Sequence, residues 1–294
     1  MVKAGKAGYE KRMQKVCGYI ARHLDEELTV GRLSEVAAFS RFHFHRQFSG
    51  YMGVSVARYI QLLRLKRASY QLAFEADARV IDIALDAGFD YPESFARAFK
   101  KEFGQSPSEF RREPRWQAWS QAYSHLQGDR NLDRRQDLDM NVEVVNFPEV
   151  RIAVLEHRGA PELVNESAGQ FRSWRIETGL SPITSCRTFG LVYDNPECTP
   201  PEKFRFDICG EIKQSEPEYS HGIVEKHIPG GRCALVRHTG SHDNIGDPVR
   251  YLYGQWLPES GEELRNFPCF FHYLNFFPEV AEHELITDIY LPLK

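Results

Sequence analysis

Two stretches within the first 110 residues carry the same helix–turn–helix pattern. In the first, Val30, Leu33, Ala37 and Phe39 lead into Phe44, Arg46, Phe48, Gly53, Ser55 and Tyr59. In the second, Val80, Ile83, Ala87 and Phe89 lead into Phe95, Arg97, Phe99, Gly104, Ser106 and Phe110. The offset is 50 residues before the turn and 51 after it, so the second unit holds one extra residue between its helices. The small alanine lets two helices approach closely, and the paired phenylalanines bury one face of the second helix. The arginine between them then falls on the opposite face. Such a chain is expected to present two recognition helices in one polypeptide, as a tandem reader of double-stranded DNA requires.

Charge supports that division. Residues 1–115 hold 20 Lys/Arg against 14 Asp/Glu, whereas the rest of the 294 residues hold 17 against 27. A basic amino-terminal third beside an acidic remainder suits a nucleic-acid module joined to one that avoids phosphate backbones. The six cysteines (Cys17, Cys186, Cys198, Cys209, Cys233 and Cys269) include no C-x-x-C pair and no zinc-finger spacing. Met1 to Gly8 lacks the apolar core of a signal peptide, and no run approaches the roughly 18 apolar residues of a membrane span. A cytoplasmic location with reduced thiols is the expectation.

Helix signals divide the first region further. Tyr9 to His23 reads as an amphipathic helix, Thr29 caps a short helix through Ala37, and Ser40 caps the first recognition helix. Ser55 caps a longer helix to Phe74, about 28 Å at 1.5 Å per residue. That length suits a strut between successive major grooves about 34 Å apart. Asp90, Tyr91 and Pro92 supply the turn, cap and first residue of the second recognition helix, and Pro107 opens a last short helix. Trp116, Trp119, Tyr123 and Leu126 stand at helical spacing before a polar stretch from Gly128 to Asp139.

The second half carries its own duplication, at a constant offset of 81: Phe147 through Ala160 matches Ile228 through Ser241, and Asp207-Ile208 matches Asp288-Ile289. A helix-like stretch sits inside each copy, around Glu166 to Gly179 and Ile245 to Leu257. The expected architecture is an all-α tandem helix–turn–helix domain over 1–115 and a linker with room for a short helix over 116–140. An α+β domain of two βαββ-like modules follows over 141–294, with a cleft where the modules meet.

The second unit reads Ile81-Asp82-Ile83-Ala84-Leu85, then Ala87-Gly88-Phe89, Ser94-Phe95, Arg97-Ala98-Phe99-Lys100-Lys101, Phe103-Gly104 and Ser106-Pro107. It resembles the AraC/XylS family of bacterial transcription regulators. The second half is similar to a gyrase-inhibitor-like small-molecule-binding domain, with Thr287 to Leu293 as its closing strand. Together the two resemblances cover nearly the whole chain. They imply a DNA-binding regulator whose second domain senses a ligand.

On the first recognition helix, Arg41, Phe42, His45 and Arg46 lie away from the Phe44/Phe48 face. Arg46 can make a bidentate contact to guanine, His45 can bond a base edge, and Phe42 either packs on a thymine methyl or joins the core. The resemblance implies base contact at Phe42, His45 and Arg46. The matching positions of the second helix are Pro92, Glu93, Ser94 and Arg97. Pro92 and Glu93 depart from the glutamine-rich pattern of related members. Glu93 can accept from cytosine N4 or favour the helix start, and Arg97, Lys100 and Lys101 suit backbone contacts.

Trp174, Tyr193, Trp256, Phe271 and Tyr273 are the candidate ligand-binding aromatics, with core packing as the plain alternative for most of them. Related domains carry a glutamate at the position of Phe271, before Tyr273-Leu274-Asn275. Its replacement favours a neutral aromatic ligand over a cation, unless Glu156 or Asp194 supplies the charge. His238 and His242 are four apart, but Gly240 lies between them and His238 repeats His157, so a strand-end role is expected rather than a metal site.

The expected function is a sequence-specific regulator of transcription, read as an activator, that binds double-stranded DNA without cofactor or metal. RNA polymerase is the expected protein partner, and no membrane is. Two alternatives stay open for the second domain. One is hydrolysis of small electrophiles, against which the missing glutamate argues; the other is protein interaction without a ligand.

Overall fold

A computed structural model describes residues 2–127, 140–216, 219–277 and 279–294. Two compact units emerge: Met1–Gln136 with Ala281–His283, and Asp137–Val280 with Glu284–Lys294.

The first unit is helical. Its helices are α1 (Val2–Arg22), α2 (Val30–Val36), α3 (Arg41–Met52), α4 (Val56–Phe74), α5 (Val80–Asp86), α6 (Pro92–Phe103), α7 (Pro107–Arg112) and α8 (Trp116–Gln127). Helix α1 starts earlier than the apolar spacing from Tyr9 suggests. Thr29 and Ser55 accept from the Arg32 and Arg58 amides, and Ser106 with Glu109 forms a capping box that starts α7. Both recognition helices end on glycines in the left-handed region, Gly53 at φ 69° and Gly104 at φ 70°. Four residues separate α2 from α3 and five separate α5 from α6, which places the inserted residue within the second turn.

One core runs through this unit, and it includes Phe44 and Phe48 of α3, Phe95, Phe99 and Phe103 of α6, and Phe110 of α7. Helix α8 belongs to the same core and is more than a linker. Trp116, Trp119 and Tyr123 are buried; the Trp119 indole donates to Ser69 Oγ at 2.6 Å and the Tyr123 phenol to Leu62 O at 2.9 Å. The linker expected over 116–140 is therefore part of the first unit as far as α8, and 128–139 lie outside the described residues.

The second unit holds one eight-stranded antiparallel sheet. Its strands are β1 (Glu143–Phe147), β2 (Val150–Arg158), β3 (Thr188–Val192), β4 (Arg205–Glu211), β5 (Val224–Ile228), β6 (Gly231–Thr239), β7 (Cys269–Tyr273) and β8 (Ile286–Pro292). Each of β1 to β4 repeats as β5 to β8 at the offset of 81 residues. The order β1-β6-β8-β7-β3-β4-β2-β5 is a palindrome of the two modules, so the pseudo-twofold axis passes between β7 and β3.

Edge strands β1 and β5 connect directly to β2 and β6 on opposite sides of the sheet, so the sheet curls until the two turns cross. The crossing is tight: a Cβ on Gly230 would lie 2.9 Å from the Glu149 amide nitrogen. Phe147, Phe189, Phe270 and Tyr290 pack on the face opposite the helices, with Phe270 and Tyr290 stacked at 5.0 Å. On the other face lie α9 (Val164–Thr178) and a second helical segment. That segment comprises α10 (Gly246–Tyr251), a π-helical turn over Leu252–Trp256 and α11 (Leu257–Ser260).

Candidate nucleic-acid interface and effector cleft

Burial of Phe44 and Phe48 turns the other side of α3 outward. Arg41, His45 and Arg46 are exposed there, and the backbone of Phe42 lies in the first turn of the same helix. The Arg41 guanidinium leans back over α2, 2.9 Å from where a Cβ on Gly31 would stand. His45 and Arg46 stand exposed on that outward side of α3. On α6 the burial of Phe95 and Phe99 exposes Glu93, Arg97, Lys100 and Lys101 and half-buries Pro92 and Ser94. Pro92 is the first helical residue, with Tyr91 as the cap. Arg97 donates to Ser94 Oγ at 3.3 Å, so these two sit together on the outward face. Lys100 and Lys101 close the last turn, where cations suit the helix dipole.

Position within the fold is held by α4. Its Arg58 pairs with Glu102 near the end of α6. Farther along, Arg64 donates to Leu24 O at 3.0 Å and Glu26 O at 3.1 Å. Arg67 binds the Asp25 carboxylate and donates to Asp86 O at 3.1 Å. The Asp25 carboxyl is held below its ordinary range, chiefly by its hydrogen bond to Arg67. Sequence reading passed over Arg58, Arg64 and Arg67, because their partners lie 19 to 44 residues away along the chain.

Four of the five candidate ligand-binding aromatics share the helix-covered face of the sheet. Phe271 and Tyr273 lie on β7 with Gly190 and Thr188 of β3 beside them. Phe271 pairs in register with Gly190, next to the pseudo-twofold axis. A Cβ on Gly190 would stand 2.5 Å from Phe206 Cζ and 3.1 Å from the Tyr273 phenol oxygen, so these rings occupy the space that the glycine leaves. Burial pushes the Tyr273 phenol well above its ordinary pKa, which keeps it a neutral hydrogen-bonding group. Trp256 packs against this cluster from the π-helical turn, half-buried. Trp174 of α9 is fully covered and stacked on Phe171 at 5.4 Å, and its indole nitrogen has no hydrogen-bond partner among the described residues.

Tyr193 does not join them. Strand alternation sends Phe189, Leu191 and Tyr193 to the opposite face, while Gly190 and Val192 face the helices. There the Tyr193 phenol donates to Asp207 Oδ2 at 2.9 Å, and burial together with that carboxylate pushes its pKa up to about 12. Asp207, with no exposed side-chain surface, also receives Arg158 at 2.8 Å and Lys226 at 2.7 Å. Burial works against the Lys226 charge, yet its bonds to Asp207 and Glu156 raise its pKa above the ordinary value.

The two acids considered as substitutes for the missing glutamate are both engaged elsewhere. Glu156 meets Lys226 and Arg158, and Asp194 holds the Arg205 guanidinium with both oxygens, at 2.8 and 2.9 Å. His157 and His238 take equivalent strand-end places, their Nε2 atoms bonding Ala160 O at 3.1 Å and Ser241 O at 3.0 Å. His242 turns to Thr287 Oγ1 at 3.2 Å. No helix among the described residues is long and apolar enough to cross a membrane.

Comparison with known proteins matches residues 140–294 to the GyrI-like small molecule binding domain and residues 33–113 to a helix-turn-helix domain. The probable transcriptional regulator YgiV of Escherichia coli K12 is 44% identical over 157 residues, which cover 53% of this chain and 98% of that protein. The Right origin-binding protein of the same organism is 36% identical over 245 residues, 82% of each chain. YbfP of Bacillus subtilis 168, an uncharacterized HTH-type transcriptional regulator, is 44% identical over 103 residues, 35% of each chain.

Proposed function

The chain belongs to the GyrI-like small-molecule-binding family and joins that domain to an AraC-type helix–turn–helix domain, as a DNA-binding transcriptional regulator; from that premise we propose how it reads DNA and what it senses. Arg46 and His45 read base edges from α3, while Arg97, Lys100 and Lys101 position α6 on the phosphates. The observation that carries this reading is the outward placement of these side chains on two helices whose inner faces share one core. Arg41, Phe42, Pro92, Glu93 and Ser94 complete the first turns that enter the groove.

Effectors of the second domain are neutral aromatic molecules, taken over β3 and β7 against Phe271 and Tyr273. A cation there would shed its water without gaining a carboxylate, because Phe271 replaces the expected acid and Glu156 and Asp194 serve other cations. Activation through RNA polymerase is the proposed outcome, and catalysis is not part of the reading.

Selection of bound sites from random duplexes tests the DNA half. Arg46→Ala is expected to cost roughly 1–3 kcal/mol on the preferred site and to relax one base pair, whereas Lys101→Ala weakens all sequences alike and flattens the salt dependence. Uniform loss from both substitutions rejects Arg46 as a base reader. For the effector half, one cationic and one neutral dye of similar shape are titrated into the unmodified chain and Phe271→Glu. The neutral dye should bind better to the first and the cation gain on the second; tight cation binding by the unmodified chain refutes the assignment. Transcription reconstituted with RNA polymerase, with and without the preferred dye, reads activation.

A further inference from the structure

Equivalent turns of the two helix–turn–helix units differ at one residue, and the difference leads to α4. In the first unit Ala38 occupies the left-handed region at φ 51°; in the second the residue is Gly88, at φ 75°. Left-handed backbone explains a glycine in either place, but the first turn tolerates a Cβ there. In the second a Cβ would displace a side chain: on Gly88 it would lie 2.5 Å from Arg64 Nη1 and 3.1 Å from its Cζ. The guanidinium of Arg64 occupies the space that Ala38 fills in the other unit.

From that seat Arg64 reaches across to the turn after α1, where Nε and Nη2 donate to the carbonyls of Leu24 and Glu26. Arg67, three residues later and so on the same face of α4, repeats the span. One of its nitrogens binds the Asp25 carboxylate and also donates to Asp86 O, just before Gly88. Each arginine thus touches the α1–α2 turn of the first unit and the α5–α6 turn of the second. A planar fork of donors on a helix is suited to hold two turns at one separation, which a lysine's single ammonium is not.

Building on the DNA-reading function proposed above, we infer that Arg64 and Arg67 are positioning residues that lock the phase between the two recognition helices, so that this chain accepts a bipartite site of one spacing. They touch no base in this role. Adding one base pair between half-sites moves the second groove by about 3.4 Å and turns it by roughly a tenth of a helical turn. A braced pair of helices cannot follow, and the benefit of simultaneous engagement is lost.

The test uses the full chain and the site selected from random duplexes, that site with one base pair inserted or removed between its halves, and each half-site alone. The unmodified chain is expected to lose about 100-fold in affinity on either spacing variant. In Arg64→Ala and in Arg67→Ala, binding to the original site should fall by about tenfold while the spacing penalty shrinks to a few-fold and half-site binding stays unchanged. Arg64→Lys should fail to restore the penalty. Gly88→Ala, which displaces the guanidinium without removing it, should relax spacing in the same way, and it serves if the arginine variants do not fold. Parallel loss on every probe, half-sites included, marks a merely structural role and overturns the inference. So does an unchanged spacing penalty in variants that fold, which leaves the DNA-reading function standing. An unmodified chain that binds no duplex overturns both.

Discussion

Gly190 and Phe271 are equivalent residues of the two sheet modules, 81 positions apart, and they face each other in register across the central strand pair. One module offers no side chain at the axis and the other a large ring. The contrast shows how a duplicated fold makes an asymmetric site: the strands keep their register while one side chain vacates the volume that Phe206 and Tyr273 then fill. A second pair shows the same divergence in charge. Asp207 is wholly buried under Arg158, Lys226 and Tyr193, whereas its mate Asp288 holds Arg237, 59% exposed, with both carboxylate oxygens. The backbone position is retained in both modules, but the means of neutralising the acid is not.

The largest effect expected from breaking this comparison comes from Asp207→Asn. It leaves the half-covered Lys226 and Arg158 short of their buried counter-charge and should cost about 3 kcal/mol, at the lower end for a broken buried pair because Glu156 stays beside both cations. Hydrogen exchange along β2, β4 and β5 reads the loss in this unit alone; protection equal to that of the unmodified chain would show that Asp207 carries no such load.

Next is Gly190→Ala, which forces Phe206 and Tyr273 aside and should cost about 2 kcal/mol by overpacking. It should also weaken binding of the neutral dye, and unchanged dye affinity would place the effector away from the axis. Asp288→Asn is expected to cost only about 1 kcal/mol, since water readily takes over the exposed Arg237. A loss as large as that of Asp207→Asn would erase the distinction between the modules. The smallest effect is expected in the other duplication: Ala38→Gly relieves left-handed strain but adds freedom to the unfolded chain, for a net gain of about 0.5 kcal/mol. A drop in thermal stability of the first unit would mean that the Ala38 methyl makes contacts worth more than the strain.

Much of the first unit is legible because its signals are local. Thr29 and Ser55 cap the helices that follow them, whereas Ser40, in the same place before α3, makes no side-chain cap bond; Gly53 and Gly104 end the two recognition helices in the left-handed region. The exposure of Arg46 and Arg97 follows from the burial of the phenylalanines two residues to either side, as helical periodicity requires. Trp116, Trp119 and Tyr123 announce an amphipathic helix, but periodicity does not name the surface that covers it. That surface is built from α4, through Ser69 and Leu62, together with Phe103 of α6 and Phe110 of α7. The same limit hid Arg64 and Arg67, which read as ordinary charges on a long helix until the turns on either side are folded against them.

In the second unit the offset of 81 residues was enough to define two modules, because a repeated pattern demands repeated structure, but each module is ββαββ rather than βαββ: Phe147 to Ala160, which reads as one continuous stretch, is broken at Pro148 and Glu149 into the end of β1 and the start of β2. Alternation along β3 likewise determined that Tyr193 and Gly190 take opposite faces. It does not determine which face the helices cover, so residue type alone puts Tyr193 with Phe271 and Tyr273, whereas the fold puts it with Asp207. Local sequence sets the period of a strand or helix through steric and hydrogen-bonding preferences of neighbouring residues. The partner of each face is chosen only when distant segments bury their apolar surfaces together, and for this chain that choice made the brace on α4, the ring over Gly190 and the buried carboxylate beneath Tyr193.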